Sequence, residues 1–143
     1  MVMADILILQ EEVLQDKVLS KSLLPDHNIE FVRSNDAVVR RLRWRKYDLL
    51  IARVHLRYNN LFELLIKLKA DPRTASVPVL CFCGIRTRMA NVANEAVRAA
   101  TLACGAKCFL SLEQFCVNEH CDLARLKSAI EAVIFDGNWK VAT

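Results

Sequence analysis

The residues able to do chemistry in this chain fall into three groups. The first is a set of polar or reactive side chains that each follow a short apolar run. These are Gln10, Glu11 and Glu12 after Ile6–Leu9, Arg53 and then His55 after Leu49–Ala52, and Cys83 after Val79–Phe82. The second is cysteine, with six between Cys81 and Cys121 and none in the first 80 residues. The third is the basic run Arg40-Arg41-Leu42-Arg43-Trp44-Arg45-Lys46.

Each group has a bland reading beside its chemical one. Cys81 and Cys83 stand at i and i+2 of an apolar run and share one face of a strand. Cys116, His120 and Cys121 form a looser cluster. A zinc centre wants four ligands, usually from paired Cys-x2–4-Cys units, and no clear second unit accompanies the first, so no metal site is expected. A disulfide-framed secreted chain is usually smaller, with cysteines spread throughout. Buried free thiols in a reducing compartment are the expectation.

Arg33 to Lys46 holds six basic residues and one acidic one, a local +5 in a chain of net charge +4. Arg40, Arg41, Arg43, Arg45 and Lys46 suit an acidic partner, with Trp44 as an aromatic anchor. They equally suit the solvated C-terminal end of a helix, where cations complement the dipole. Nucleic-acid binding through Arg40–Lys46 ranks third among the functional readings of the chain and is not expected, because no other basic or stacking motif supports it.

Composition removes several classes. The chain has 143 residues, 54% hydrophobic and 25% charged, enough for one domain with a full core and too apolar for disorder. The longest apolar stretch, Val77 to Ile85, contains Pro78 and Gly84 and stops at Arg86, short of the ~18–20 residues that a membrane helix needs. The first basic residue is Lys17, and Ile6–Leu9 is flanked by Asp5 and Glu11, so no signal peptide is expected. A soluble, cytoplasmic protein follows. From Gly84, Gly105 and Gly137 neither G-x-G-x-x-G nor G-x-x-x-x-G-K-[ST] can be written.

The elements that must position these residues alternate. Continuous apolar runs predict buried strands at Ile6–Leu9, Leu49–Val54 and Pro78–Cys83, with shorter ones at Ile29–Val32 and Lys107–Leu110. Helical spacing predicts helices over Glu12–Leu24, Asn35–Arg45 (capped by Ser34), Asn59 or Asn60 to Leu68, Asn91–Cys104 and Leu123–Phe135. Asp71-Pro72 ends the third helix, Gly105 suits a left-handed cap on the fourth and Gly137 closes the last. Trp139 reads as a packed C-terminal plug. Five strands joined by helical crossovers imply a parallel, doubly wound α/β sheet in one domain, with its core at about residues 5–136. In such a sheet the site lies beyond the carboxyl ends of the strands. That places Gln10–Glu12, Arg53, Cys83 and Ser111–Leu112 around one cleft.

At this point the chain resembles a known family. Asp48-Leu-Leu-Ile-Ala-Arg53-Val, Asn60-Leu-Phe-Glu-Leu-Leu-Ile-Lys-Leu-Lys-Ala-Asp71, Val77-Pro-Val-Leu-Cys-Phe-Cys-Gly84 and Cys104-Gly-Ala-Lys-Cys-Phe-Leu110 look like receiver domains of two-component response regulators. The resemblance covers about Asp5 to Ile134. It implies a flavodoxin-like, three-layer α/β/α fold with strand order 2-1-3-4-5. It also implies a switch-like aromatic at Phe109 and a contact surface centred near that residue.

The resemblance fails at the family's active positions. The acidic pair reads Gln10 and Glu11, the phosphate-accepting aspartate is Arg53, the Ser or Thr is Cys83, and the lysine is replaced by Leu112-Glu113. A guanidinium has no nucleophilic oxygen and stays protonated. It also puts positive charge where a hard dication would sit, and leucine cannot neutralise a phosphoryl group. Mg2+ binding and phosphotransfer are therefore not expected. Arg53 is expected to pair with Glu11 in place of the metal.

The expectation is a stand-alone, phosphorylation-independent receiver-like module. It would act in signalling through a protein partner or a homodimer, with no catalysis and no output domain. The alternative is a cleft-based enzyme, or a small-anion or redox sensor, using Arg53, Cys83 or His55.

Overall fold

The computed structural model describes residues 3–12, 17–86 and 88–135. The readings of Trp139 and Gly137, and of Val13 and Leu14 in the first helix, lie outside them. The order is β1 (Asp5–Leu9), α1 (Val18–Leu23), β2 (Asn28–Val32), α2 (Asn35–Trp44), β3 (Leu49–Arg53), α3 (Leu61–Ala70), β4 (Val79–Cys83), α4 (Arg88–Ala103) and β5 (Cys108–Ser111). A 3-10 turn (Leu112–Phe115), a short hairpin of β6 (Cys116–Val117) and β7 (His120–Cys121), and α5 (Leu123–Phe135) complete it.

The five long strands form one parallel sheet in the order β2-β1-β3-β4-β5, as the resemblance implied. Its strands are apolar on both faces because helices cover both. Leu7, Leu9, Leu50, Ala52 and Cys81 pack in one core with Val38 and Leu42 of α2 and Leu64, Leu65 and Leu68 of α3. Ile6, Ile8, Ile51, Leu80 and Phe82 alternate to the other face, against Leu19 and Leu23 of α1 and Leu126, Ile130 and Val133 of α5.

Local chemistry sets the element ends. Ser34 Oγ accepts from Ala37 N at 3.1 Å, and Asn60 Oδ1 from Phe62 N at 3.0 Å and Glu63 N at 3.2 Å. Gly105 has φ +112°, and a Cβ there would lie 2.6 Å from the Lys69 side chain. Helix α4 begins a turn earlier than the expected Asn91, since Arg88, Met89 and Ala90 are all good helix formers.

One expectation is corrected. Cys116 and Cys121 are not free thiols but a disulfide across β6 and β7, where they face each other in register. Their i, i+5 spacing spans a tight turn with Asn118 at φ 54°, which brings the two side chains to one side of the hairpin. Cys81, Cys83, Cys104 and Cys108 are free. Among the described residues no helix is long and apolar enough to cross a membrane.

Candidate functional site

The carboxyl ends of the strands bring the sequence-selected residues around one cleft. Parallel register sets Leu9 beside Ala52, Arg53 beside Phe82 and Cys83 beside Ser111. Gln10 and Glu11 leave β1 buried, and Arg53 ends β3 at 2% exposure.

Glu11 is the best-held polar group there. Its Oε1 accepts from the backbone N–H of Arg57. Its Oε2 accepts from Tyr58 N at 2.7 Å and from Asn59 Nδ2 at 2.7 Å. Asn59 Nδ2 also donates to Arg33 O at 3.1 Å, and Arg33 Nε donates to Glu11 O at 2.9 Å. Burial pushes the Glu11 carboxyl upward, but the N–H groups of Arg57 and Tyr58 and the Asn59 amide outweigh it and hold the carboxyl below its ordinary value. The β3–α3 connection is thus pinned to the end of β1 by a buried carboxylate.

The expected Arg53–Glu11 ion pair does not form. Both Glu11 oxygens are taken by the N–H groups of residues 57–59, and the Arg53 guanidinium instead lies over the Phe82 ring, 5.4 Å from its centroid.

Cys83 is fully buried, with its Sγ 3.3 Å from Nε2 of the exposed His55. Leu112, expected to stand where a receiver carries its lysine, is a core residue, 5% exposed in the cluster with Phe115. Ser111 starts a capping box there: Gln114 Oε1 accepts from Ser111 N at 2.9 Å. Phe109 is buried beside a cavity of about 260 Å³ lined by Asn94, Arg98, Ser111 and Gln114. Among the described residues no group of three or more His, Cys, Asp or Glu could hold a metal ion.

The basic run lies at the opposite, amino end of the sheet. Most of it is neutralised internally. Arg41 and Arg45 both pair with Glu30, Arg45 also reaches Asp5 at 3.5 Å, and Arg43 pairs with Asp71 at 2.9 Å. Four bonds to Arg73 and Arg43, led by the Arg73 backbone N–H, hold the Asp71 carboxyl down to about 2. Arg40 and Lys46 are exposed.

Sequence reasoning missed the partners of Glu11, because two of them are backbone groups. Asn59 carried a signal, as half of an Asn pair of which only one member is needed to cap α3. It also missed His27, buried at 1% exposure. His27 Nδ1 accepts from Ala4 N at 3.0 Å, so its Nε2 donates to Glu131 at 2.7 Å and ties β1 to α5.

No family model and no curated protein matches the chain. Solved structures do. The receiver domain of a signal transduction histidine kinase from Syntrophus aciditrophicus is 23% identical with a TM-score of 0.67, covering 94% of this chain and 92% of that one. The chemotaxis response regulator CheY4 of Vibrio cholerae is 14% identical with a TM-score of 0.69, covering 92% and 99%. The Mn(2+)-bound form of the response regulator Rcp1 is 17% identical with a TM-score of 0.67, covering 94% and 96%. At these identities the likeness is one of fold, and the fold is that of receiver domains.

Proposed function

We propose that this chain is a receiver-like protein-interaction module of signal transduction that works without phosphotransfer. The observation that supports it is the state of Glu11. A receiver's acidic corner holds a dication with several oxygen ligands. Here the remaining acid spends both oxygens on the N–H groups of residues 57–59, and its neighbour is Gln10. Arg53 ends β3 in the nucleophile's place, and Leu112 is core where a lysine would neutralise charge. Each change removes a separate requirement of the transfer.

The test is a titration of the wild type with acetyl phosphate and Mg2+, read by intact mass. The expected result is no phosphoryl adduct and no saturable Mg2+ effect on Trp fluorescence. A stoichiometric, acid-stable or acid-labile adduct overturns the reading.

A second reading, a thiol sensor in the same cleft, draws on the contact between His55 Nε2 and Cys83 Sγ at 3.3 Å. Alkylation of Cys83 ahead of Cys104 in the native protein, slowed by His55→Ala, would favour it over the first.

A further inference from the structure

At the amino end of the sheet, Trp44 is 85% exposed at the last turn of α2. It stands on a groove of about 550 Å³ lined also by buried Leu42 and Val77 and by Lys46 and Arg73. An indole is the largest apolar side chain and a favoured anchor in contacts between proteins. Beside an apolar floor it is a ready stacking platform.

Charge around the groove is arranged by depth. Asp71 is 15% exposed, in front of which stand Arg43 at 37% and Arg73 at 65%. Glu30, at 33%, lies behind Arg41 at 51% and Arg45 at 48%. Among the described residues Lys46 and Arg40 have no acidic partner, and both are exposed. Apart from exposed Asp48, which also lines the groove, an approaching molecule meets cations first and acids second.

We propose that this groove docks an acidic segment of a partner protein, a stretch rich in Asp and Glu carrying one aromatic or leucine side chain. The apolar side chain stacks on Trp44 over Leu42 and Val77, while flanking carboxylates meet Lys46 and Arg73. A second copy of the chain fits poorly, since a two-fold contact would set this basic groove against its like. Duplex nucleic acid fits poorly too, because a phosphate backbone needs an extended row of unpaired cations, and Arg41, Arg43 and Arg45 are each paired with an acid. The site rests on the reading of the chain as an interaction module and not on the loss of phosphotransfer.

The experiment is a selection of random displayed peptides on the full chain, followed by fluorescence anisotropy of the selected peptides. Wild type, Trp44→Ser and the double variant Lys46→Glu/Arg73→Glu are compared, with circular dichroism to confirm that each keeps its fold. The expected peptides carry several acidic residues around one aromatic or leucine. Their affinity falls about tenfold or more in each variant and weakens with added salt. Peptides without acidic bias, binding indifferent to both variants, or no binders at all overturn the site. So does a dimer broken by Trp44→Ser, or duplex DNA bound more tightly than any peptide. Phosphoryl labelling of the wild type would overturn the proposed function and leave this site standing, so the two fail separately.

Discussion

Glu11 and Asn59 are 48 residues apart in the chain and joined by a 2.7 Å hydrogen bond from Asn59 Nδ2 to Glu11 Oε2. The bond fixes the segment after β3 to the segment after β1, the two connections that meet at the mouth of the cleft. Asn59 Oδ1 then accepts from Asn35 N at 2.9 Å, which ties in the start of α2. Three elements are clamped by one carboxylate and one amide.

Glu11→Gln removes the charge from this clamp and replaces one of its two acceptor oxygens with an NH2 donor facing the N–H groups of the 57–59 segment. The expected cost is about 1–3 kcal/mol in urea unfolding. A Glu11/Asn59 double-mutant cycle should show strong coupling between the two positions. The sign of the pH effect follows from the lowered carboxyl. The stability it adds is complete above its ordinary value of 4.5 and is lost as pH falls through the lower folded value. Glu11→Gln should therefore flatten the acid limb of the stability curve, and an unchanged limb would deny Glu11 this role.

Receiver-type phosphotransfer should not arise through one substitution. In Arg53→Asp, Glu11 stays engaged with the β3–α3 connection, and Leu112 stays in the core. No Mg2+-dependent labelling by acetyl phosphate is expected. Leu112→Lys is expected to lose about 2–3 kcal/mol of stability, from lost apolar burial and an ammonium placed against the Phe115 cluster. Labelling of Arg53→Asp alone would mean that the cleft is one residue from function.

How much of this was legible depends on whether side chains or backbone do the work. Leu49–Ala52 and Val79–Phe82 are apolar at every position, and that pattern has few homes besides a strand covered on both faces. The sheet followed from it. The partners of Glu11 did not, because the N–H groups of Arg57 and Tyr58 leave no mark in residue type. The excess charge of Arg40–Lys46 was plain, but its neutralisation was not. Glu30, a lone acid on edge strand β2, reaches Arg41 and Arg45, which lie 11 and 15 residues further on. Only the neighbouring of β2 and α2 makes that contact.

The four free thiols should differ in reactivity. Burial, with neighbouring Cys108 adding to it, pushes the Cys81 thiol up to about 12, and burial pushes Cys108 up to about 11. At pH 8 both should resist iodoacetamide in the native protein, while half-buried Cys104 reacts. The same shifts make stability fall as pH rises above the ordinary thiol value of 9.0, since unfolded thiols release protons that folded ones keep. Mass-mapped labelling and urea midpoints between pH 8 and 11 check both statements. Rapid labelling of Cys81 would show that β4 opens to solvent.

The Cys116–Cys121 bridge closes a loop of sequence separation 5, so its loss releases little chain entropy, about 2 kcal/mol. The hairpin it staples leans on the 3-10 turn and the start of α5, and none of the five long strands pairs with it. Reduction should therefore lower stability by no more than about that amount and leave the parallel sheet intact by circular dichroism. A Cys116→Ser/Cys121→Ser double variant should match the reduced wild type and be indifferent to reductant. Alkylation in denaturant should count four cysteines before reduction and six after it. Six before reduction would deny the bridge, and global unfolding on reduction would mean that the hairpin supports the sheet after all.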